Sequence, residues 1–256
     1  MTDNIHIHTN DEQQRHHHKN YSIFAHMTND RAILLGAVLI SLAILGHGFI
    51  VASSGSKSAS GLVDKAVITA IVKAPDLPHR YFGDQNPAEE IIMTEYSDTE
   101  CPFCKNFHAS MVQVVTDGAG RIAWVYKHFP LSFHPNAQKE AEAIECVREV
   151  EGDAKAFKYI DAIFATTPSN NKLPKEALFE ISDAMKFKTK KIRECTESGK
   201  YAQKIKDEIT EGEKIGVQGT PFTFVDQNKG GVKTALGTIN GAQPIEAITA
   251  IIAQAK

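Results

Sequence analysis

The segment SDTECPFCKNFH, from Ser97 to His108, contains two cysteines two residues apart where the hydrophobic pattern of the chain changes. Before it, EIIMTEYS (90–97) is a short apolar run with β-branched and aromatic residues, which predicts a buried strand. After it, apolar residues recur at helical spacing from Phe107 to Val115. A CxxC pair between a strand and a helix limits both the local fold and the chemistry of the thiols.

Three interpretations of the CxxC pair compete, namely a reactive dithiol, a structural disulfide and half of a zinc site. Cys101 is expected at the helix N-terminus with Pro102 in the first turn, where free N–H groups and the positive helix end stabilise a thiolate. Cys104, one turn later, is placed to resolve a mixed disulfide. Zinc needs two further ligands at close spacing, and Cys146 and Cys195 stand apart from any such motif. The reactive dithiol is favoured.

The remaining pattern predicts the order of strands and helices around this pair. Arg121 to Phe129 is expected as a second strand, parallel to the first through a right-handed crossover. A helical block follows over about 135–216, then a hairpin of two strands at Pro221–Asp226 and Gly231–Gly237. An amphipathic helix from Gln243 to Ala255 ends the chain. The prediction is an α/β fold with a mixed sheet and an inserted helical domain.

Two further segments extend the pattern beyond the CxxC motif. They are HFPLSFHPNAQKEAEAIEC (128–146) and GVQGTPFTFV (216–225). Together with CPFC after a strand, they make residues 84–256 resemble the DsbA-like (disulfide-bond protein A) family of thioredoxin-fold thiol:disulfide oxidoreductases. The resemblance implies oxidation of client cysteines through Cys101 and Cys104. A reductase or isomerase with the same site is the alternative, and a non-enzymatic thioredoxin-fold binding module is the alternative of another class.

The resemblance also implies roles around the dithiol. Pro221 matches the cis-proline that faces the CxxC motif, and Thr220 before it offers backbone hydrogen bonds to an extended substrate. Glu95 matches a buried acid that manages the proton of Cys104, because burial raises the pKa of a carboxyl group. Lys127 in the neighbouring strand is the candidate partner of Glu95.

The dipeptide between the cysteines is where this chain departs from its family. Phe103 stands where DsbA itself carries His, and Phe can donate neither a hydrogen bond nor a charge to the Cys101 sulfur. A less strongly oxidising disulfide is therefore expected, which leaves the direction of electron flow open. Pro102 and Phe103 are also expected to contact substrate proteins.

Other polar residues lie close to the dithiol in the sequence. Asp98 and Glu100 are expected to be exposed and to oppose a Cys101 thiolate mildly. Three histidines, His108, His128 and His134, are candidates for a position near the site, although lone histidines are more often structural.

The other two cysteines, Cys146 and Cys195, fall in the predicted helical block. The resemblance implies that they form a second, structural disulfide, and two buried free thiols are the alternative. A permanent disulfide requires an oxidising compartment.

The N-terminal part lies outside the resemblance. Residues 1–31 are polar and rich in His, which indicates a disordered tail. The run from 32 to 52 has no charged side chain and is long enough to span a bilayer, which predicts a transmembrane anchor or an uncleaved signal. Residues 53–83 are expected as a linker.

The expected protein is therefore a single-pass membrane protein whose catalytic domain is extracytoplasmic, in the periplasm or at the cell surface. Its expected partners are reduced or misoxidised client proteins and, from the resemblance, a quinone-linked redox protein of the membrane. The net charge of −3 gives no indication of nucleic-acid binding. No metal and no cofactor beyond the thiols is expected.

Overall fold

A five-stranded mixed sheet lies at the centre of the molecule, and the computed structural model describes residues 61–255. The strands are β1 (Arg80–Phe82), β2 (Ile91–Ser97), β3 (Ile122–His128), β4 (Phe222–Lys229) and β5 (Val232–Asn240). Their order is β1-β3-β2-β4-β5. Strands β1 and β2 both run parallel to β3, whereas β4 is antiparallel to β2 and β5 is antiparallel to β4. The expected mixed sheet, its parallel βαβ unit and its C-terminal hairpin are confirmed.

Eight helices pack around this sheet in the described part of the chain, and five of them form a block between β3 and β4. They are α1 (Lys65–Lys73), α2 (Pro102–Asp117), α3 (Ala137–Glu151), α4 (Asp153–Thr166), α5 (Lys175–Ala184), α6 (Thr189–Ser198), α7 (Ala202–Lys214) and α8 (Ile245–Ile252). Helices α3 to α7 fall where the sequence predicts helical structure. Cys146 of α3 and Cys195 of α6 form a disulfide with a Cα–Cα distance of 5.8 Å.

The two faces of the central strand β2 enter different apolar clusters, because side chains alternate along a strand. Ile91 and Met93 belong to the large core that includes residues of α2 and the helical block. Tyr96 points to the other face, where it packs with Phe129 and Val217. Odd-numbered residues of β2 therefore face the core that contains α2, and even-numbered residues face the opposite layer.

The linker predicted over 53–83 is wrong for the part that the structure describes from residue 61 onward. Asp64 caps α1 by accepting the N–H of Ala66 at 2.8 Å. Ile68 and Ile71 of α1 are buried in the core against the helical block, and β1 adds an edge strand to the sheet. The segment is folded because its apolar residues have a core to pack against.

The predicted tail (1–31) and membrane anchor (32–52) lie outside the described residues. Within 61–255, no helix combines the length and the apolar character needed to cross a bilayer.

Candidate active site

The two cysteines of the CxxC motif lie at the start of α2, directly after the central strand. Cys101 is the N-cap residue, with extended backbone angles (φ −78°, ψ 122°), and Pro102 occupies the first turn. A tight turn leads from β2 to this position, since the N–H of Cys101 donates to the carbonyl of Asp98 at 3.1 Å. Both Cys101 and Cys104 are free thiols and are buried. The strand–turn–helix arrangement is the one that the sequence pattern predicts.

The environments of the two thiols push their pKa values in opposite directions. The pKa of Cys101 is lowered to about 6, mainly by a hydrogen bond from the Cys104 side chain. Hydrogen bonds from the backbone of Cys104 and Phe103 and from Thr220 act in the same direction, whereas burial opposes the shift. Burial, followed by the bond and charge of Cys101, raises the pKa of Cys104 well above its usual value. Cys101 is therefore the thiolate at neutral pH, and Cys104 keeps its proton.

The segment before β4 closes the other side of the dithiol. The Thr220–Pro221 peptide bond is cis. Cys101 Sγ lies 3.4 Å from the Thr220 carbonyl oxygen, to which it donates a hydrogen bond when it is protonated. Pairing of Phe222 with Tyr96 in the antiparallel β2–β4 ladder brings this segment to the carboxyl end of β2. Two distant motifs thus meet because β4 is the neighbour of β2.

Glu95 lies on the face of β2 that carries Ile91 and Met93, and it is fully buried in that core. Neither of its carboxyl oxygens has a hydrogen-bond partner of ordinary geometry among the described residues. Burial raises the pKa of Glu95 to about 7, and a Cys101 charge acts in the same direction, whereas Ser97 and Trp124 nearby act against it. A carboxyl group that holds or releases a proton near neutral pH thus lies within electrostatic range of both cysteines.

Lys127 is not the partner of Glu95, contrary to the sequence-based expectation. In the β2–β3 ladder Glu95 pairs with Tyr126, and Lys127 pairs with Tyr96. Lys127 therefore points to the opposite face, where its Nζ contacts Glu211 of α7 at 2.6 Å. Lys127 is one position away from the residue that pairs with Glu95, so the Lys127 ammonium and the Glu95 carboxyl group lie on opposite faces of the sheet.

Asp98 and Glu100 are buried, so the expectation that they are exposed is wrong. Asp98 accepts the N–H of Glu100 and that of Leu131, each at 2.8 Å, and contacts Nδ1 of His134 at 2.8 Å. Its own N–H donates to Cys104 Sγ at 3.4 Å. The turn before the dithiol is folded inward because each of these carboxyl groups finds donors in the interior.

The three candidate histidines are all buried, and each contacts a carboxyl group. His108 lies 2.9 Å from Asp161, and His128 lies 3.1 Å from Glu145. His134 is the partner of Asp98 described above. His108 and His128 join α2 and β3 to the helical block, and only His134 supports the turn that carries the dithiol.

Two aromatic side chains, one in the CxxC dipeptide and one in the loop after β3, are exposed. Phe103 exposes 61% of its surface and Phe133, in the loop after β3, exposes 68%. Phe133 also borders an open groove of about 500 Å³ whose lining includes Leu131, Ile209 and Val217. Pro102 is half-buried. The sequence indicated Phe103 because it lies between the two cysteines. It did not indicate Phe133, because only the exposure of this side chain in the structure sets it apart from other phenylalanines.

Sequence reasoning also missed Glu140 of α3, which is buried next to the turn before Cys101. The hydroxyl of Thr99 donates to Glu140 Oε2, and burial, followed by the nearby Glu100 carboxyl group, raises the pKa of Glu140. The only signal in the sequence is the acidic SDTE segment before the motif, since α3 follows some forty residues later.

A CxxC dithiol that begins the helix after the central strand of a mixed sheet, beside a cis-proline, defines the class of thiol:disulfide oxidoreductases. Residues 78–253 match the family model described as Thioredoxin, which covers more than half of the chain. The chain therefore belongs to the thioredoxin family, and its DsbA-like character is confirmed by its likeness to a DsbA2 structure.

Among those structures, DsbA2 of Pseudomonas aeruginosa is 26% identical, with a TM-score of 0.54 over 65% of this chain and 89% of that chain. Oxidised BdbD from Bacillus subtilis is 19% identical, with a TM-score of 0.55 over 66% and 89%, and supports the fold alone. A curated relative is the Na(+)/H(+) antiporter NhaA 1 of Salinispora arenicola, 27% identical over 75% of this chain. The chain spans about a quarter of the length of such relatives.

Proposed function

We propose that this protein oxidises the cysteines of folding client proteins through the Cys101–Cys104 disulfide. The observation that carries the proposal is the opposite displacement of the two thiol pKa values, to about 6 for Cys101 and upward for Cys104. A stable Cys101 thiolate is a good leaving group and favours the reduced enzyme, so the disulfide gives up its oxidising equivalents readily.

The reaction follows from this difference. A client thiolate attacks Cys101 Sγ, the bond between Cys101 and Cys104 breaks, and its electron pair goes to Cys104. Cys104 takes up a proton, for which the Glu95 carboxyl group is the proposed donor. A second client thiolate then attacks the client sulfur of the mixed disulfide, and Cys101 leaves as a thiolate. The client gains one disulfide, and the enzyme is left as the dithiol.

Client segments are proposed to bind in extended form along Thr220 and Pro221, with Pro102 and Phe103 as apolar contacts. The backbone of the residue before the proline lies beside Cys101 and leads directly into β4, so a client segment in extended form could pair with it there. Exposed Phe103 adds apolar surface next to the sulfur that is attacked. Cys146 and Cys195 are proposed to be structural and to take no part in the exchange.

Residues 32–52 are proposed to anchor the domain in the cell membrane, with residues 61–255 on the extracytoplasmic side. An oxidising compartment suits the Cys146–Cys195 disulfide, which would be reduced in most cytoplasms. Reoxidation of the dithiol then requires an electron acceptor, for which we propose a quinone-linked redox protein of the same membrane.

The proposed reaction is tested by oxidative refolding of a reduced, disulfide-containing substrate protein. The wild-type chain should accelerate disulfide formation, and Cys101→Ser should abolish the effect. Cys104→Ser, incubated instead with a client that already holds a disulfide, should accumulate a mixed disulfide that non-reducing electrophoresis detects, because the Cys101 thiolate attacks the client disulfide, one client thiolate leaves, and Cys104 is no longer present to release the client. Retention of the wild-type rate by Cys101→Ser would refute the mechanism.

A reductase or isomerase is the second candidate, and Phe103 is the observation that favours it. Phe103 lacks the hydrogen bond and charge that a His at this position offers to the thiolate. The potential of the Cys101–Cys104 couple, measured by equilibration with glutathione, separates the two directions. A value close to that of thioredoxin, about −270 mV, would reject net oxidation.

A further inference from the structure

Two buried carboxyl groups lie at the turn that precedes the nucleophilic cysteine. Glu100 precedes Cys101 in the chain, Glu140 lies on α3, and each exposes 1% of its surface or less. Oε2 of Glu100 accepts the N–H of Asn171, and Oε2 of Glu140 accepts the hydroxyl of Thr99. The remaining Oε1 atom of each is buried without a donor among the described residues, and the pKa of Glu140 responds to the carboxyl group of Glu100, so the two groups lie close together.

Two ionised carboxylates cannot hydrogen-bond to each other, because neither has a proton to donate. One proton placed between the two Oε1 atoms gives both of them a partner and removes one of two like charges from the interior. The pKa of Glu140 agrees with this arrangement, because burial, followed by the nearby Glu100 carboxyl group, raises that pKa to about 10. The proton thus belongs mainly to Glu140.

The backbone of the helical block holds Glu100 in this position. After α4 the chain has three consecutive non-glycine residues with left-handed backbone angles, Ser169, Asn170 and Asn171. In this conformation the N–H of Asn170 donates to the Glu100 carbonyl at 2.8 Å, and the next N–H reaches the Glu100 carboxylate. Non-glycine residues adopt such angles at a cost, so a run of three indicates that these contacts are strongly favoured.

We propose that Glu100 and Glu140 share one proton and form a positioning pair that keeps a single negative charge beside Cys101. This proposal deepens the proposed function, because the charge opposes the Cys101 thiolate and so limits how strongly the disulfide oxidises. The pair offsets part of the stabilisation by the helix N-terminus.

The other charged and titratable groups around the pair have partners of their own or differ in type. Asp98 faces Glu140 and is paired with His134. Tyr159 of α4 senses the charge of Glu140, and its hydroxyl donates to a backbone carbonyl. Lys105 of α2 donates to the Thr167 carbonyl rather than to a carboxylate. Within residues 61–255 no cation forms a salt bridge with either carboxyl group of the pair, and a proton is left as their shared counter-charge.

Three variants distinguish the effect of the shared proton from the effect of the negative charge that the Glu100–Glu140 pair carries. Glu140→Gln imitates the protonated acid and can still donate to Glu100, so it keeps the charge. Combining it with Glu100→Gln removes the charge while preserving the shape of both side chains. Glu142→Gln is the matched control, because Glu142 is also buried on α3 but pairs with Lys139 at 2.6 Å.

The first measurement is the titration of the Cys101 thiolate by its ultraviolet absorbance, together with the equilibrium with glutathione. In the Glu100→Gln, Glu140→Gln double variant, the acid dissociation constant of Cys101 should rise roughly three- to tenfold. The equilibrium constant with glutathione should shift by a similar factor towards a more strongly oxidising disulfide. Glu140→Gln and Glu142→Gln should stay within about twofold of the wild type. An unshifted double variant would overturn the electrostatic role of the pair.

The second measurement detects the proton without any thiol exchange. A carboxyl group whose pKa is raised by folding keeps a proton that the unfolded chain releases, so stability falls as pH rises above about 4.5. The unfolding equilibrium of the wild type should therefore change relative to Glu140→Gln by up to about tenfold per pH unit between about pH 5.5 and 8. Parallel profiles would overturn the shared proton, whereas a failed refolding assay would overturn only the proposed oxidation.

Discussion

Replacement of Glu95 by Gln is predicted to change how the stability of the protein depends on pH. The pKa of Glu95 is about 7 in the folded protein, against an ordinary value of 4.5. Because each pKa unit corresponds to about 1.4 kcal/mol, ionising this buried carboxyl group costs about 3 kcal/mol more in the fold than in water. The folded state retains the proton that the unfolded state loses, so the wild type loses stability as pH rises from about 4.5 to 7.

Gln cannot ionise, so the Glu95→Gln protein should not lose this stability. Urea denaturation of the reduced proteins between about pH 4.5 and 8 should show a difference in unfolding free energy that grows by about 3 kcal/mol in favour of the variant. Any constant cost of burying an amide shifts the whole curve and does not affect this slope. Glu246→Gln, at an exposed position of α8, serves as the control.

The oxidised protein provides a second test of the same reasoning. The charge of Cys101 contributes to the raised pKa of Glu95, and this charge is absent when Cys101 and Cys104 are joined. The pH-dependent difference between wild type and Glu95→Gln should therefore be smaller in the oxidised protein. Parallel wild-type and variant curves in the reduced state would refute the assignment of a near-neutral buried acid.

Three further predictions concern the disulfide, the dipeptide and one close contact. Replacing both Cys146 and Cys195 by Ala should lower the unfolding free energy by about 4 kcal/mol, because the bridge spans 49 positions of the chain, as urea denaturation would show. Phe103→His should make the Cys101–Cys104 couple more oxidising in glutathione equilibration, and an unchanged potential would contradict the role given to the dipeptide. Gly212→Ala should cost about 1–3 kcal/mol in thermal or urea unfolding, because the new Cβ would lie 2.9 Å from the Tyr96 ring.

Features that depend on neighbouring residues could be predicted from the sequence. The apolar run before CPFC becomes β2, and Pro102 occupies the first helical turn as its lack of an N–H allows. The position of Cys101 at the helix N-terminus follows from these local preferences. The meeting of this turn with Pro221 could be expected only from the resemblance to a known fold, because the two segments are far apart in the chain.

Features that depend on register or on distant packing could not be predicted. Glu95 and Lys127 lie in adjacent strands, but pairing of Glu95 with Tyr126 puts the lysine on the opposite face. Helix α1 was missed because its short apolar run becomes a helix only when Ile68 and Ile71 pack on the helical block. Glu100 is buried because its carboxylate accepts the N–H of Asn171, a residue far along the chain that nothing local to the motif indicates.

The Cys146–Cys195 bridge is itself a product of disulfide formation, the reaction that Cys101 and Cys104 are suited to carry out on other proteins. Four cysteines allow three ways of forming two pairs, and the folded chain has selected one of them. That bridge joins α3 to α6, and it can form only after an oxidant has removed two electrons from the newly made chain. Maturation of this protein therefore has a redox step of its own, and a newly made copy is itself a substrate for disulfide formation.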